Sequence, residues 1–446
     1  MLHPAKRGRV TLLTNARILT MDADMTEIER GWIRIDGDRI TALGTGTPDD
    51  ITGATDMGGD LVMPGMVNPH SHIAMTLFRG LGEDVDDRLF RYILPLEREC
   101  VTADAVSTGA RLATLELIRG GVTTVADMYY FEAEIGRAVA DAGIRGVVGQ
   151  TLGNFDAPDH DSFDQAFALT DALVDEFRNH PRVTPSIAPH APYSTGPEIM
   201  ARVARWAADN PGVPVQMHLG ETDGENDWSR EHGGTPVEIT DRAGLLIPGL
   251  IAAHCLHVSD SDISLMAERG VGVAHNARAN GKGGRGIAPV TEMRGAGIPV
   301  GISTDGPMSS NTLDLFSQFA PVSMFQKLRG HSRKPMPSRD VIRMASIEGA
   351  QVLGMADRIG SLEVGKQADL IRISLDDPRL QPVYDIYSTL VFAAGPSDIR
   401  ATMVAGEWLM QDRQMITLET ARIMSDARQV AHTFGAKIAE IDRRST

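Results

Sequence analysis

Eight short apolar runs along this chain each end in a polar or ionisable residue, and that repeated punctuation limits the folds open to it. The runs close near His72, Asp127, Thr151, His190, His218, His254, His275 and Asp305. Between them lie stretches with helical spacing of apolar residues. One runs from Ala105 to Arg119 with Leu112, Leu115 and Ile118 on one side, and Gly120-Gly121 is its stop. Another is predicted from about Asp340 to Leu353, closing at Gly354. Buried-type strands that alternate with helices mark βα units on a parallel sheet. Eight such units predict an α/β protein of the (β/α)8, or TIM-barrel, type. In that architecture the site lies at the carboxyl ends of the strands, where these polar endings fall.

The two ends of the chain read differently. Trp32-Ile33-Arg34-Ile35 and Arg39-Ile40-Thr41-Ala42-Leu43 flank Asp36-Gly37, a hairpin turn signal. After Gly360 strand signals return at Ala368–Ile373, Ala401–Val404 and Trp408–Met410. Neither end has enough strands to bury a sheet alone. Together, residues 1–62 and 361–420 are expected to form one small β-sandwich beside a barrel of residues 63–360, with 421–446 as a surface helix that begins near Leu418.

Of the 446 residues 42% are hydrophobic, enough for a large core, and the formal net charge is -16. An acidic surface disfavours phosphate backbones and anionic membranes, so neither nucleic acid nor membrane is an expected partner. The two cysteines, Cys100 and Cys255, make no disulfide framework. The start, Met1-Leu2-His3-Pro4-Ala5-Lys6, lacks the apolar stretch of a signal peptide, and no run of about 18 apolar residues occurs. The expectation is a cytoplasmic globular protein.

Four residues at three of the strand endings suit one metal. His70 and His72, two apart on a strand, face the same way. His218 and Asp305 close other strands. Three imidazoles and a carboxylate suit zinc, with iron or manganese as alternatives, and leave room for water. The bland reading, unrelated polar caps, does not explain why all four fall on strand ends. Glu221, three residues past His218, is a loop carboxylate or a proton shuttle; as a shuttle it must reach substrate and so is not itself a ligand. His254 is expected on or near the metal, Cys255 in packing and His257 in a structural role. Prolines around His190 suit a rigid turn or a substrate contact, His275-Asn276 a hydrogen-bonded cap, and Met21, Met63 and Met66 core filling. A cytidine-deaminase type of zinc site is excluded, because it needs a Pro-Cys-x-x-Cys segment.

The motifs Pro64-Gly65 to His70-x-His72, Ala188-Pro189-His190-Ala191-Pro192-Tyr193, His218-x-x-Glu221-Thr222, Ala253-His254-Cys255, His275-Asn276, Thr304-Asp305-Gly306 with Ser310-Asn311, and Gly360 to Asp369 are those of a known family. From Thr14-Asn15-Ala16 to Val404-Ala405-Gly406 the chain resembles the amidohydrolase superfamily. Within it the resemblance is to the branch of 5-methylthioadenosine/S-adenosylhomocysteine deaminases, guanine deaminases and chlorohydrolases. The resemblance implies one divalent metal per subunit on His70, His72, His218 and Asp305, and catalytic roles for Glu221, His254 and Asp305. It implies substrate contacts for Glu97, in Leu94-Pro95-Leu96-Glu97, and for His190. It also implies homodimers or larger assemblies. The chain departs from the pattern in three places. Arg88 stands where a tryptophan is usual, Gln150 lies where carboxylate-gripping arginines are expected, and Ala277-Arg278-Ala279-Asn280 replaces Pro-x-Ser-Asn. Arg88 and Gln150 are therefore candidate substrate residues of a different pocket.

The implied reaction is hydrolytic deamination of an amino-substituted heterocycle, foremost an adenosine-type nucleoside such as 5-methylthioadenosine. A metal in such a site brings the pKa of water down to about 7. Alternatives are guanine, 8-oxoguanine, a pterin or a triazine as the ring, or hydrolysis of a cyclic amide. The last usually uses two metals and a lysine where this chain has His190. A metal-dependent binding protein without turnover is the reading from another class.

Overall fold

The structure, a computed structural model, describes residues 10–445. The expectation drawn from Met1–Lys6, and the outermost residues of the first and last predicted segments, lie outside the described residues. Among the described residues no helix is long and apolar enough to cross a membrane.

Eight parallel strands form one sheet in sequential order: β1 (Met66–Ser71), β2 (Val122–Tyr129), β3 (Arg145–Leu152), β4 (Val183–Pro189), β5 (Val215–Leu219), β6 (Leu250–His254), β7 (Gly272–His275) and β8 (Val300–Ile302). Almost every strand residue is buried, as expected when helices cover the outside and side chains fill the inside. The predicted strand endings fall at or beside the observed ones. The largest difference is at β8, which stops at Ile302 short of Asp305.

The seam between β1 and β8 carries no backbone ladder. Pro69 has no N–H to give. The Asn68 side chain spans the gap instead: its Oδ1 accepts from Thr304 N at 3.2 Å and its Nδ2 donates to Thr304 Oγ1 at 2.8 Å. Gly301 permits the approach, since a Cβ there would lie 2.7 Å from Pro69 Cγ. Val67 N donates to Ala345 O at 2.9 Å, and this breaks the predicted Asp340–Leu353 helix. Two helices are found, Ser338–Met344 and Ile347–Val352. Ser346 between them leaves the helical region (φ -132°, ψ -97°) once the Ala345 carbonyl is committed to the strand.

The terminal segments build one nine-stranded sheet. Leu61–Pro64 joins its halves, pairing parallel with Val10–Leu19 and antiparallel with Leu370–Ile373. Leu13, Ile33, Ile35, Ile40, Leu370 and Met403 form a core of their own, so the small sandwich predicted from both termini is present. Its hairpin turns at Gly37-Asp38, where Gly37 takes φ +62°. A buried ion pair ties this sheet to the barrel. Arg145, the first residue of β3, donates to Asp369 through Nε (3.2 Å to Oδ2) and Nη2 (3.1 Å to Oδ1). Asp369 Oδ1 also accepts from Ala405 N at 2.7 Å.

The last helix, Thr420–Ser445, is a surface helix with one face packed against the barrel. It buries Ile423, Ala427, Phe434 and Ile441. Phe434 meets Phe78 edge-on at 5.2 Å, at the end of the short turn Ile73–Phe78 that follows His72. Cys100 and Cys255 are unpaired; Cys255, Met21, Met63 and Met66 pack in the core as expected.

Candidate metal centre

The ligand atoms of His70, His72 and His218 lie within 4.8 Å of one another, and so do those of His70, His254 and Asp305. His72 Nε2 is 3.3 Å from both Asp305 Oδ1 and His218 Nε2, and His70 Nε2 is 3.8 Å from Asp305 Oδ1. The strands bring them there. β1 delivers His70 and His72, β5 delivers His218, β6 ends at His254, and Asp305 follows β8. His254 (φ +74°) and Asp305 (φ +60°) adopt left-handed backbone, which costs of order 1–3 kcal/mol each. Gly306 must be small, because a Cβ there would press on His72 at 3.2 Å.

Hydrogen bonds on the far side of two rings fix which nitrogen is free. His72 Nδ1 donates to Met128 O at 2.6 Å and His218 Nδ1 to His190 O at 2.9 Å. Both Nε2 lone pairs then face the centre. His70 Nε2 is buried and has no hydrogen-bond partner. Lone pairs gathered this closely repel one another unless a cation lies between them, so the donor set fits a divalent ion. Burial and the neighbouring imidazoles push His218 well below its ordinary value. Burial likewise takes His70 down to about 4, against the pull of Asp305. At His72 burial is outweighed by contact with Asp305, and its pKa rises to about 9. Burial opposes ionisation of Asp305 too, but His70 and His72 hold it well below the carboxylate range.

Glu221 stands at the edge of this cluster, its Oε1 3.6 Å from His254 Nε2. Arg285 donates to the same oxygen. Burial works against the Glu221 charge; His254 and Arg285 together prevail and keep the carboxyl below its usual value. The opposite edge of the His254 ring is held by Asn280 Oδ1 at 2.8 Å.

His190 and Glu97 flank the centre. The His190 ring lies 4.8 Å from that of His218, and its Nδ1 contacts Ser194 Oγ at 2.8 Å. Burial takes its pKa down to about 4. Glu97 is buried, accepts from Tyr129 OH at 2.8 Å, and is pushed up by burial to about 7. Arg88 and Gln150 are not gathered into the cluster. Arg88 donates to Met308 O at 3.2 Å, and Gln150 Nε2 is spent on Asp159 Oδ2 at 3.0 Å. His257 is 3.7 Å from Asp223, away from the centre. His275-Asn276 is not the hydrogen-bonded cap expected from the sequence. Both His275 ring nitrogens and the Asn276 amide are buried without hydrogen-bond partners.

The sequence reading did not assign Asn280, Arg285, Tyr129 or the buried carboxyl pair Asp127 and Glu132. Asp127 accepts from Ile73 N, just past His72. Burial raises both carboxyls of the pair, Asp127 to about 6. Only Asn280 and Asp127 carried a signal, as the last residue of the altered seventh-strand motif and as a strand ending.

A barrel whose first, fifth and last strands deliver imidazoles and one carboxylate to a common point defines a class of hydrolases. The chain belongs to the amidohydrolase family, whose model matches residues 61–409. It is 38% identical over 429 residues to a 5-methylthioadenosine/S-adenosylhomocysteine deaminase of Syntrophobacter fumaroxidans, covering 95% of this chain and 98% of that one. It is 36% identical over 438 residues to a 5'-deoxyadenosine deaminase of Methanosarcina mazei, covering 96% and 99%. An adenosine deaminase from Xanthomonas campestris, solved with bound zinc, superposes with a TM-score of 0.91 at 31% identity, covering 96% of this chain and 98% of that one.

Proposed function

We propose that this protein is a metal-dependent hydrolytic deaminase that releases ammonia from an amino-substituted heterocycle, foremost an adenosine-type nucleoside such as 5-methylthioadenosine. The observation that carries it is Glu221 and His254, 3.6 Å apart, set beside the three imidazoles and Asp305. The three relatives named above, all deaminases of adenosine-type compounds by name, support the substrate class.

His70, His72, His218 and Asp305 would hold the ion, for which we propose zinc. A divalent ion supplies Lewis acidity that makes water nucleophilic near neutrality. Asp305, ionised in its cage of imidazoles, takes the proton that water gives up. His254, steadied by Asn280, hydrogen-bonds the attacking oxygen. Glu221, ionised at rest, takes the other proton of the attacking water and carries it to the ring nitrogen beside the attacked carbon, so charge does not accumulate as aromaticity is lost. The proton held by Asp305 passes to the leaving amine and lets ammonia go. Glu97 is suited to ribose hydroxyls and His190 to the ring. Arg88 and Gln150 join the pocket only by exchanging their present partners.

The proposal extends to a cytoplasmic homodimer or larger assembly. It draws on the unpaired thiols and on exposed apolar side chains such as Leu328 and Phe392.

The test is ammonia release from adenosine, 5-methylthioadenosine, 5'-deoxyadenosine, guanine, 8-oxoguanine, a pterin, an aminotriazine and a cyclic amide, with metal analysis of the same sample. Adenosine-type nucleosides should be fastest, chelation should abolish turnover and zinc should restore it. Ring opening of the amide without ammonia, or a metal-replete sample inert on the whole panel, overturns the reading.

A further inference from the structure

Arg285 belongs to none of the roles assigned so far, yet it is the one arginine or lysine paired with a charged residue of the centre among the described residues. Its guanidinium donates to Glu221 Oε1, the oxygen that also faces His254 Nε2 at 3.6 Å. If Glu221 serves a ring nitrogen, as proposed above, Arg285 sits on the atom that substrate needs. A guanidinium only donates, and a ring nitrogen that has just received a proton is also a donor. The two compete for one acceptor.

The segment carrying Arg285 is built to yield. Gly284 (φ +65°) and Gly286 (φ +112°) flank it, and a Cβ at either would meet open space. Arg285 N is tethered to Asn280 O at 3.0 Å, so the side chain moves from a fixed base. That side chain is 33% exposed, so it can turn without leaving a hole in the core. The other cations nearby are engaged: Lys282 with Glu83, and Arg88 with Met308 O and Glu83.

We propose that Arg285 is a specificity-determining residue that favours rings carrying an oxygen on the carbon next to the nitrogen Glu221 protonates. A substrate without that oxygen displaces Arg285 and strips it of a charge-assisted hydrogen bond. A substrate with it offers a new acceptor on the ring carbon beside that nitrogen, to which the guanidinium can turn as it gives up Glu221. The preferred class is thus an adenosine-type ring bearing an oxo group beside the amidine nitrogen. This rests on the deaminase reading above.

The experiment compares kcat/KM for adenosine, 2-oxoadenosine and S-adenosylhomocysteine in the metal-loaded wild type, Arg285→Ala and Arg285→Lys. Metal content and Tm serve as controls for folding. The wild type should favour 2-oxoadenosine over adenosine by at least about ten-fold; Arg285→Ala should erase that preference, mainly by raising KM for 2-oxoadenosine, and Arg285→Lys should keep part of it. A preference unmoved by Arg285→Ala, or an equal fall on both nucleosides, overturns the role. So does a fall confined to S-adenosylhomocysteine in Arg285→Ala, which would put the guanidinium on a side-chain carboxylate. If metal-loaded wild type releases ammonia neither from these three nor from any member of the panel above, the deaminase reading falls together with this one. If adenosine is deaminated and the ratio does not move, only the role of Arg285 falls.

Discussion

Two buried polar clusters stand at opposite ends of the barrel strands, and they are finished to different degrees. Where β3 begins, Arg145 and Asp369 are almost sealed from solvent, and their nitrogens and oxygens answer one another, Pro181 O or Ala405 N. At the other end, His70 Nε2 is buried without a hydrogen-bond partner, and His254 Nε2 has only Glu221 Oε1 at 3.6 Å, beyond hydrogen-bond reach. Leaving a buried polar group unsatisfied costs about 1–3 kcal/mol, so the second cluster lowers stability where the first preserves it. The contrast separates a joint from a work site. Charge buried for architecture is closed upon itself, whereas charge buried for chemistry keeps its valence open toward something that arrives.

The sharpest way to break that contrast is Glu221→Gln. It should cut turnover by about 10²–10⁴-fold, some 3–5 kcal/mol of barrier, with metal content and Tm close to wild type. Near-normal turnover would put the proton transfer elsewhere. Arg145→Ala should do the reverse. It leaves Asp369 buried and unpaired, for a loss of about 3–5 kcal/mol in denaturant unfolding, while metal content per folded molecule holds. The double variant Arg145→Met with Asp369→Leu should recover most of the loss; a double variant as unstable as the single one would mean the pair is not a closed unit.

The smallest effect sharpens the comparison through pH. Glu97 has a folded pKa raised to about 7 by burial, so the folded state binds more protons than the unfolded one between the ordinary carboxylate value and about 7. Its contribution to stability therefore falls as pH rises through that window. Glu97→Gln should be more stable than wild type by about 1–3 kcal/mol at pH 8 and indistinguishable at pH 4. A gain that is the same at both values would rule out the titration of Glu97 as its source.

The barrel was legible because its signal is periodic and local: each buried strand is a short apolar run, and each run ends in a residue the core does not accept. The convergence of His70, His72, His218 and Asp305 followed from the same rule, since strand ends share one rim. Side-chain pairing was not legible. Nothing in Gly149-Gln150-Thr151 announces that the Gln150 amide is consumed by Asp159, and Arg285 sits 64 positions from the Glu221 it touches. The break at Ser346 also escaped local reading, because the helical pattern continues through it and the competitor is the N–H of Val67. The last helix reads as a surface helix, and its packed face is what local sequence does not show. Its fit to Phe78 depends on a partner about 350 residues earlier, beyond the reach of any local periodicity.

The missing ladder between β1 and β8 has a consequence for how the protein ages and fails. His70 and His72 lie on one lip of that slit and Asp305 just past the other, laced by the Asn68 amide and by the Ser71 hydroxyl, which donates to Asp305 O at 3.2 Å. An ion gripped from both sides is therefore a rivet as well as a reagent. Stripping it would free the cylinder to gape along a single line, at the spot where heat or a protease would first find purchase.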